Sequence, residues 1–374
     1  MKLTSQMIKD KARELGIDCI AIGNIERFKN APKLMSPLTY FPGAKSVIAV
    51  AMRIPRGTYR GIEEGTHWHN YTFYSYNKLN SLFRPRLSYE LACFIEDHGW
   101  EAVAHYPAVP EGNGTTNEPL RDGIPPDIVC SVRIIAAGCG LGEIGFSKVF
   151  LTKKFGPRVR LGLIFTDCEL EPDPIINTGD ICLHCGACAK ECPGNAIPSV
   201  KDVNKRLTVN FGDTSIWYGD VRMGRCTLSH HGMNNECSPF LKKEFPNMAF
   251  DVRNSEMTEE EAYIMSYTMA QGKWGRKPDT NKVMGYYDYI ITHTGYFAIC
   301  GAKGCIRACM NMLEKTDRIE NKFHNPFYYK KSWTLPNKPE KVSDGVNPYR
   351  EEYLDKNYPG IRENEYKKTE SCKK

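Results

Sequence analysis

Four cysteines in one short stretch are the residues of this sequence best suited to chemistry. They lie in residues 182–193, CLHCGACAKECP, with the spacing C-x2-C-x2-C-x3-C followed by proline. Three thiolates two residues apart can surround one face of an iron–sulfur cubane, and this spacing is typical of [4Fe–4S] sites. Zinc sites usually pair two C-x2-C units across a longer gap, so a zinc knuckle is the weaker alternative. The stretch therefore predicts a protein that carries single electrons.

Later cysteines could hold a second cluster. AICGAKGCIRACM follows at residues 298–310, and two more cysteines precede it. In two-cluster ferredoxins the fourth cysteine of each run binds the other cluster. By that rule the first cluster is held by Cys182, Cys185, Cys188 and Cys309, and the second by Cys192, Cys226, Cys300 and Cys305. Cys237 is the alternative to Cys226.

A glycine-rich stretch, GCGLGEIG at residues 138–145, contains the letters G-x-G-x-x-G. A dinucleotide site needs a helix after this motif, whereas a turn at residues 155–158 and a strand at residues 159–166 follow here. The glycines more plausibly let the backbone lie flat against a broad planar ligand, where a Cβ would collide. The residues expected to contact that cofactor are Gly138, Gly140, Leu141, Gly142 and Gly145.

The composition is that of an ordinary globular protein, with 374 residues, 41% hydrophobic residues, 25% charged residues and a net charge of +6. No run of about 18 apolar residues is present, and the N-terminus lacks the pattern of an export signal. We therefore expect a cytoplasmic protein without a membrane segment. In that compartment fifteen cysteines indicate metal binding rather than disulfides, and a reducing, anaerobic setting.

The elements that must position these residues are visible as periodic or β-branched stretches. Apolar spacing predicts helices over residues 4–15 and 87–98, and buried strands are predicted at residues 17–22, 46–51, 101–104 and 159–166. An aromatic stretch at residues 67–76 is either a packed helix start or a cofactor wall. Residues 107–126 read as a long surface loop. The expected domains are a core at 1–175, a cysteine domain at 176–315 with an inserted helical segment at about 240–290, and an extended C-terminal wrap and tail at 316–374.

Several blocks, taken in order, resemble the reductive dehalogenases. They are GLGEIG at 140–145, FGPRVRLG at 155–162, FTD at 165–167 and the proline-terminated cysteine run. The same blocks are more loosely similar to the epoxyqueuosine reductases, where an arginine stands at the spacing of Arg133 and RC stands as Arg225-Cys226 does here. The resemblance covers about residues 1–230.

This resemblance implies an α/β (α+β) fold, with a nitroreductase-like cobalamin-binding core beside a two-cluster ferredoxin-like domain. The implied cofactors are two [4Fe–4S] clusters and a base-off cobalamin lying against the glycine stretch, with Arg158 added to its contacts. The implied proton donor is Tyr74 or Tyr76 assisted by Arg133. Asp127 is the weaker alternative, since it lies about one residue out of the register of the epoxyqueuosine reductases.

The implied activity is that of an oxidoreductase in which Co(I) cleaves a C–halogen or C–O bond in a small molecule. A low-potential donor, ferredoxin or flavodoxin, would supply the electrons. Two alternatives stay open: an epoxyqueuosine reductase acting on tRNA, which is not favoured, and an electron-transfer protein or corrinoid activator without a small substrate. The sequence departs from the family in the x4 spacing between Cys300 and Cys305 and in its lack of an export signal.

Overall fold

A computed structural model describes residues 2–64, 67–106, 128–234, 251–270 and 298–327. They belong to one compact unit, Met1–Lys331, and the second unit, Ser332–Lys374, lies outside the described residues. The fold is a mixed α/β fold. The domain boundaries expected from the sequence remain predictions.

The described strands form one larger sheet and two small ones. The strands are β1 (Cys19–Asn24), β2 (Ser46–Arg53), β3 (Ala102–Ala104), β4 (Glu143–Ile144), β5 (Phe150–Leu151), β6 (Val159–Thr166), β7 (Arg206–Phe211) and β8 (Thr214–Gly219). The larger sheet has the order β1-β2-β6-β3 with every neighbouring pair antiparallel, whereas β4 pairs with β5 and β7 with β8. All residues of β2 except Arg53 are buried, which explains why its sequence is a continuous apolar run.

Helices cover both faces of this sheet. The helices are α1 (Ser5–Glu14), α2 (Pro37–Tyr40), α3 (Arg60–Glu64), α4 (Trp68–Thr72), α5 (Arg84–Glu96), α6 (Val132–Gly138), α7 (Ala187–Lys190), α8 (Met223–His230), α9 (Glu259–Ala270), α10 (Cys300–Lys303) and α11 (Cys305–Lys315). On one face, Ala49 of β2 and Leu163 of β6 are register partners and share an apolar core with Ile135 of α6. On the other face, a Cβ at Gly162 would lie 2.9 Å from Ser88 Oγ of α5.

Helix boundaries follow local sequence signals. Thr4 caps α1 by accepting a hydrogen bond from the backbone N–H of Met7 at 3.3 Å. After α4 the chain continues as two π-helical turns, Phe73–Asn77 and Leu79–Phe83, within the aromatic part of the sequence. Such wide turns occur often at functional sites.

The cysteine-bearing elements lie beside the sheet core. Helix α11 packs on α7, and α8 packs on α9. Arg56 anchors α11 to the core through an ion pair with Glu314 at 2.7 Å, and both side chains are largely buried. These contacts bring the late cysteines next to the early run.

The strands and helices expected at residues 4–15, 17–22, 46–51, 87–98, 101–104 and 159–166 are present, with ends shifted by up to three residues. The long loop expected at residues 107–126 and most of the inserted segment lie outside the described residues. Within the described ranges, no helix combines the length and apolar character that crossing a bilayer requires.

Candidate redox site

The loop before α7 curls tightly around the early cysteines. Gly179, His184 and Gly186 adopt left-handed backbone conformations with φ of 99°, 48° and 74°. Glycine adopts this region without a steric penalty, whereas His184 is held there against its ordinary preference. The curl leaves Cys185 exposed and Cys192 buried.

Glu143 of β4 fixes the start of this loop. Its buried carboxylate accepts hydrogen bonds from the backbone N–H groups of Gly179 at 2.7 Å, Ile181 at 2.7 Å and Cys182 at 2.9 Å. Burial raises the pKa of Glu143 above its ordinary value, although these three donors oppose that shift. The sequence motifs did not single out this residue. An acidic residue inside a buried glycine-rich stretch was the signal that could have found it.

The structure brings the first predicted ligand group, Cys182, Cys185, Cys188 and Cys309, around one cavity. The cavity is also lined by Phe146 and Leu313. Burial, and then the charges that Cys182, Cys188 and Cys185 carry when ionised, raise the pKa of Cys309 well above its usual value. Buried thiols packed this closely resist ionisation, so a positively charged metal centre is the natural partner that makes them thiolates. We call these four residues the first cysteine set.

Three of the four residues predicted for the second cluster also meet. Cys192, Cys226 and Cys305 pack against one apolar group that contains Phe146 and Val221. Burial raises the pKa of Cys226 to about 11, and the charge of Cys192 adds to the shift.

Cys300 lies at the start of α10, where the next residue, Gly301, adjoins Tyr71. Its place as fourth ligand stays a prediction, and the alternative ligand Cys237 lies outside the described residues. We call Cys192, Cys226, Cys300 and Cys305 the second cysteine set.

The spacing of the donor atoms argues against a single zinc ion. Tetrahedral Zn–S bonds of about 2.3 Å bring sulfur atoms to about 3.8 Å from one another. Among the described residues, the one three-ligand group with donor atoms within 4.8 Å of one another is Glu143, Cys182 and His184, which holds a single sulfur. The first cysteine set therefore surrounds a wider space, as a polynuclear cluster requires. Glu143 belongs to the scaffold because three backbone donors already occupy its oxygens.

A buried cluster of tyrosines around an arginine lies near the second cysteine set. We call Tyr59, Tyr71, Tyr76 and Arg160 the Tyr–Arg site. The guanidinium of Arg160 lies 4.1 Å from the ring centroid of Tyr76, and Arg160 Nε donates to Ser75 O at 2.6 Å. The rings of Tyr59 and Tyr71 are 5.0 Å apart, and those of Tyr71 and Tyr76 are 5.7 Å apart.

Several polar atoms of the Tyr–Arg site lack a hydrogen-bond partner among the described residues. They are Tyr59 Oη, Tyr71 Oη and Arg160 Nη2, and all three are buried. The side chain of Tyr76 interacts with both Tyr71 and Arg160 and contributes to the pKa shift of each, so Tyr59 Oη is the atom that most clearly lacks a partner among the described residues. Burial lowers the pKa of Arg160, but the charges that Tyr76, Tyr71 and Tyr59 carry when ionised outweigh it and raise the pKa above the ordinary value. Buried polar atoms without partners are rare in proteins, so they indicate a place for a bound polar group.

Contacts connect the Tyr–Arg site to the second cysteine set. Tyr76 packs on His230 with ring centroids 4.8 Å apart. Burial lowers the pKa of His230 well below its usual value, and the positive charges of His231, Arg160 and Arg133 add to that effect. Arg133 also opposes the upward pKa shift of Cys226, and therefore lies close to both groups.

The choice between Tyr74 and Tyr76 can be compared with the structure. Tyr74 is 42% exposed and packs on Phe73, whereas Tyr76 lies under Arg160 beside the buried tyrosines. The arginine over Tyr76 is Arg160, which the sequence motifs did not indicate. Arg133 affects the pKa of both Cys226 and His230, whose ring packs on Tyr76, and its role beside the proton donor stays a prediction. Asp127 lies outside the described residues.

The physical reason given for the glycine stretch needs correction, because the space beside its glycines is filled by the chain itself. A Cβ at Gly140 would lie 2.1 Å from Pro174 O, and one at Gly142 would lie 2.1 Å from Leu151 O. A Cβ at Gly138 would lie 2.5 Å from the ring of Phe28, and one at Gly145 would lie 2.9 Å from Leu151 Cδ1. These glycines serve close packing within the protein, and Leu141 is part of the same core. The space on the Cβ side of these glycines is therefore not open to a flat ligand, and the contact of this stretch with a corrin stays a prediction.

Arg158, predicted as a cofactor contact, makes structural contacts within the chain, and its contact with a cofactor stays a prediction. Its side chain is fully buried, donates from Nη1 to Ile54 O at 3.0 Å and from Nη2 to Asn321 Oδ1 at 2.6 Å. Its guanidinium lies 5.2 Å from the ring centroid of Phe323. Arg158 therefore ties the segment after α11 to the sheet core.

Comparisons with known proteins give matches to dehalogenases. No family model matches the chain. The chain is 37% identical to the tetrachloroethene reductive dehalogenase of Desulfitobacterium hafniense over 118 residues, 31% of this chain and 18% of that protein. It is 42% identical to that of Sulfurospirillum multivorans over 64 residues, 17% of this chain and 13% of that protein. The matched segments thus span less than a fifth of the length of these relatives.

Solved structures give weaker similarities. An epoxyqueuosine reductase from Streptococcus thermophilus is 18% identical with a TM-score of 0.37, covering 52% of this chain and 53% of that chain. A reductive dehalogenase described for B12-dependent dehalogenation is 17% identical with a TM-score of 0.42, covering 91% of this chain and 42% of that chain. The sequence matches agree with the resemblance inferred from the motifs: over about a third of its length, the chain is similar to tetrachloroethene reductive dehalogenases.

Proposed function

We propose that this chain is an oxidoreductase of the reductive dehalogenase type, which cleaves a C–halogen or C–O bond in a small molecule by reduction. The observation that carries the proposal is the arrangement of the cysteines. Four of them surround one cavity, and Cys192, Cys226 and Cys305 belong to an apolar group that Cys182 and Cys188 also contact. A low-potential carrier such as ferredoxin or flavodoxin would supply the electrons.

In this proposal the first cysteine set holds one [4Fe–4S] cluster and the second cysteine set holds another. Cys188 and Cys305 are close enough for the charge of one to raise the pKa of the other, after the larger effect of burial. The two clusters would therefore be neighbours. Iron–sulfur couples reach below about −400 mV, which is low enough to drive a difficult reduction.

Electrons would leave the second cluster towards the Tyr–Arg site. Burial raises the pKa of Tyr59, Arg160 opposes that shift, and the charge of Cys305 adds to it, so the cysteine and the phenol are near each other. The Tyr–Arg site combines buried polar atoms that lack a partner among the described residues with a position near Cys305. We therefore assign substrate reduction to this place.

Tyr76 is the proposed proton donor. Reductive cleavage consumes two electrons and one proton, replaces C–X by C–H and releases the leaving group as an anion. The phenol would supply the proton, and the guanidinium of Arg160 over its ring would stabilise the phenolate left behind. The unpartnered Nη2 of Arg160 could also hold a polar group of the substrate.

The corrinoid is the part of the proposal that depends on the resemblance. When bound, a base-off cobalamin would supply a strongly reducing cobalt centre. Because the glycine faces are filled, the polar groups of such a cofactor fit the unpartnered atoms of Tyr59, Tyr71 and Arg160 better. The sequence matches to tetrachloroethene reductive dehalogenases favour a small substrate over tRNA.

The proposal is tested by anaerobic purification in the presence of cobalamin, with iron and cobalt analysis, EPR spectroscopy and an assay with halogenated ethenes and phenols. Two cubanes predict about eight iron atoms per chain. Halide release with reduced methyl viologen as donor would support the proposal. A protein with both clusters that binds no cobalamin and releases no halide, or reduces epoxyqueuosine in tRNA instead, would contradict it.

A further inference from the structure

His184 lies between two cysteines of the first set and is held in a defined orientation. Its ring stacks on Trp217 with centroids 4.5 Å apart and an angle of 29° between the planes. The guanidinium of Arg206 lies 4.1 Å from the ring centroid of the same tryptophan. Because its backbone also has a φ of 48°, the structure restricts both the main chain and the ring of this residue.

The imidazole points one nitrogen into the protein. Nε2 is buried and has no hydrogen-bond partner among the described residues. An imidazole nitrogen of His184 also lies within 4.8 Å of Cys182 Sγ. His184 is one of the residues lining the cavity of the first cysteine set.

A metal-ligand role explains this geometry less well. The third member of the group, Glu143, already accepts three backbone hydrogen bonds and is not available to share an ion. The groups around Cys182 instead donate hydrogen bonds to its sulfur. The backbone N–H of Phe146 does so at 3.5 Å. A buried Nε2–H would be a further donor to the same sulfur surface.

We propose that His184 donates a hydrogen bond from Nε2 to the sulfur atoms of the first cluster and thereby raises its reduction potential. The proposal rests on the iron–sulfur part of the proposed function. Reduction takes [4Fe–4S]²⁺ to [4Fe–4S]⁺ with one electron from an external donor and no proton transfer. The added negative charge lies partly on sulfur, so a hydrogen-bond donor stabilises the reduced state more than the oxidised state.

The test compares His184→Phe with the unchanged protein in an EPR-monitored redox titration. Phenylalanine keeps the ring on Trp217 and removes the donor. A hydrogen bond of ordinary net strength changes an equilibrium about fivefold to tenfold, so the reduced-to-oxidised ratio at a fixed potential should fall by that factor. A tenfold change corresponds to about 59 mV for a one-electron couple. The second cluster is the internal reference and should not shift.

His98→Phe is the matched control, because His98 packs on Phe94 and accounts for none of the lining of the cysteine cavity. A first-cluster potential that is unchanged in His184→Phe, with the full iron content, would overturn the role of His184. If His184→Phe loses the first cluster, the test is made instead on the unchanged protein labelled with ¹⁵N-histidine. Pulsed EPR then either detects a histidine nitrogen coupled to the reduced first cluster, which supports the proposal, or detects none, which overturns it. A protein that binds no iron would overturn the proposed function as well.

Discussion

The cysteine loop at residues 182–193 and the glycine stretch at residues 138–145 both have sequence patterns that indicate a bound ligand, yet they differ in the structure. Cys182, Cys185 and Cys188 of the loop line a cavity together with Cys309. The space beside the glycines is occupied by Pro174, Leu151 and Phe28. The loop is thus incomplete without an added group, whereas the glycine stretch is completed by its own chain.

The difference teaches how to weigh the two kinds of signal. A cysteine brings a donor atom whose burial raises its pKa, so closely packed thiols need a metal charge to become thiolates. A glycine brings only space, and any neighbouring part of the chain can fill it. By this criterion the Tyr–Arg site belongs with the cysteine loop, because Tyr59 Oη and Arg160 Nη2 have no partner among the described residues.

The largest effect on activity is expected when Cys309, the cluster ligand that α11 contributes to the first cysteine set, is removed. Cys309→Ala should lose the first cluster, reduce the iron content from about eight to about four atoms per chain and abolish turnover, because three thiolates no longer close the cubane. Iron analysis and EPR of the reduced protein provide the measurement. Cys93→Ala, which changes a cysteine of α5 outside both sets, should retain full iron. Retention of eight iron atoms in Cys309→Ala would remove this residue from the first set.

The next largest effect is expected in the Tyr–Arg site. Tyr76→Phe should retain both clusters and lower turnover about 10²- to 10⁴-fold, the range typical of a lost general acid. Steady-state kinetics with reduced methyl viologen measures it, and Tyr89→Phe, on an exposed part of α5, is the control. A large loss in Tyr74→Phe with none in Tyr76→Phe would show that the wrong tyrosine was chosen.

The glycine stretch gives a smaller effect, on stability. Gly140 and Gly16 have nearly equal φ, 83° and 86°, but a Cβ at Gly140 would lie 2.1 Å from Pro174 O, while nothing lies within 4 Å of one at Gly16. Gly16→Ala should therefore cost about 1–2 kcal/mol for the left-handed backbone alone. Gly140→Ala should cost about 3–5 kcal/mol because the clash adds to it. Denaturant unfolding of the cluster-free chain measures both.

Comparing Gly140→Ala with Gly16→Ala also tests whether the glycine stretch packs within the chain or contacts the cofactor. If Gly140→Ala is as stable as Gly16→Ala but loses cobalamin binding, the glycine stretch contacts the cofactor after all. If the two variants lose the same stability and cofactor binding does not change, the segment that carries Pro174 can move away from the added Cβ at little cost. The segment carrying Pro174 is itself held, since Asp173 accepts a hydrogen bond from Ile22 N at 2.9 Å. We therefore expect little relaxation.

Local patterns explain what the sequence could predict. The apolar run of β2, the N-cap of α1 and the cysteine spacing are each encoded within a few residues, and each has the expected local structure. Glu143 and Arg160 were missed because their partners lie far along the chain, at residues 179–182 and at Tyr59 to Tyr76. The glycines were misinterpreted for the same reason, since no local pattern shows which distant segment approaches them.

Arg225, in the Arg225-Cys226 pair, also has contacts with a distant segment that no local pattern predicts. Its guanidinium donates to Val252 O at 2.8 Å and to Ser255 O at 2.6 Å, so it holds the segment that leads into α9. A block shared with a family suggested a role at the cluster, and the neighbouring Cys226 does lie in the second cysteine group. The contacts of Arg225 itself are structural and could not be read from the sequence.

The smallest effect is expected at His105, on the pH dependence of stability. This residue also tests whether buried polar atoms without a partner indicate a bound ligand. Both of its ring nitrogens are buried without a partner among the described residues, yet the ring packs on Tyr40 and Phe165 in the sheet core, at centroid distances of 5.0 and 5.9 Å. Burial, with the positive charge of Arg84, lowers the pKa of His105 from 6.5 to about 4. It therefore behaves as a neutral core residue.

Its pH dependence has a definite sign. Because the pKa of His105 is lower in the folded state, the unfolded chain binds the proton first, and stability is lost as the pH falls from about 6.5 towards 4. The loss should reach about 2 kcal/mol between pH 7 and pH 5. His105→Phe should reduce the slope in denaturant unfolding by this amount, leaving the contributions of His230 and His184, while the exposed His324, changed to Gln, should leave the slope unchanged. If His105→Phe leaves the slope as it is in the unchanged protein, His105 has a polar partner in the folded chain, and unpartnered atoms at the Tyr–Arg site would then be weaker support for a bound ligand.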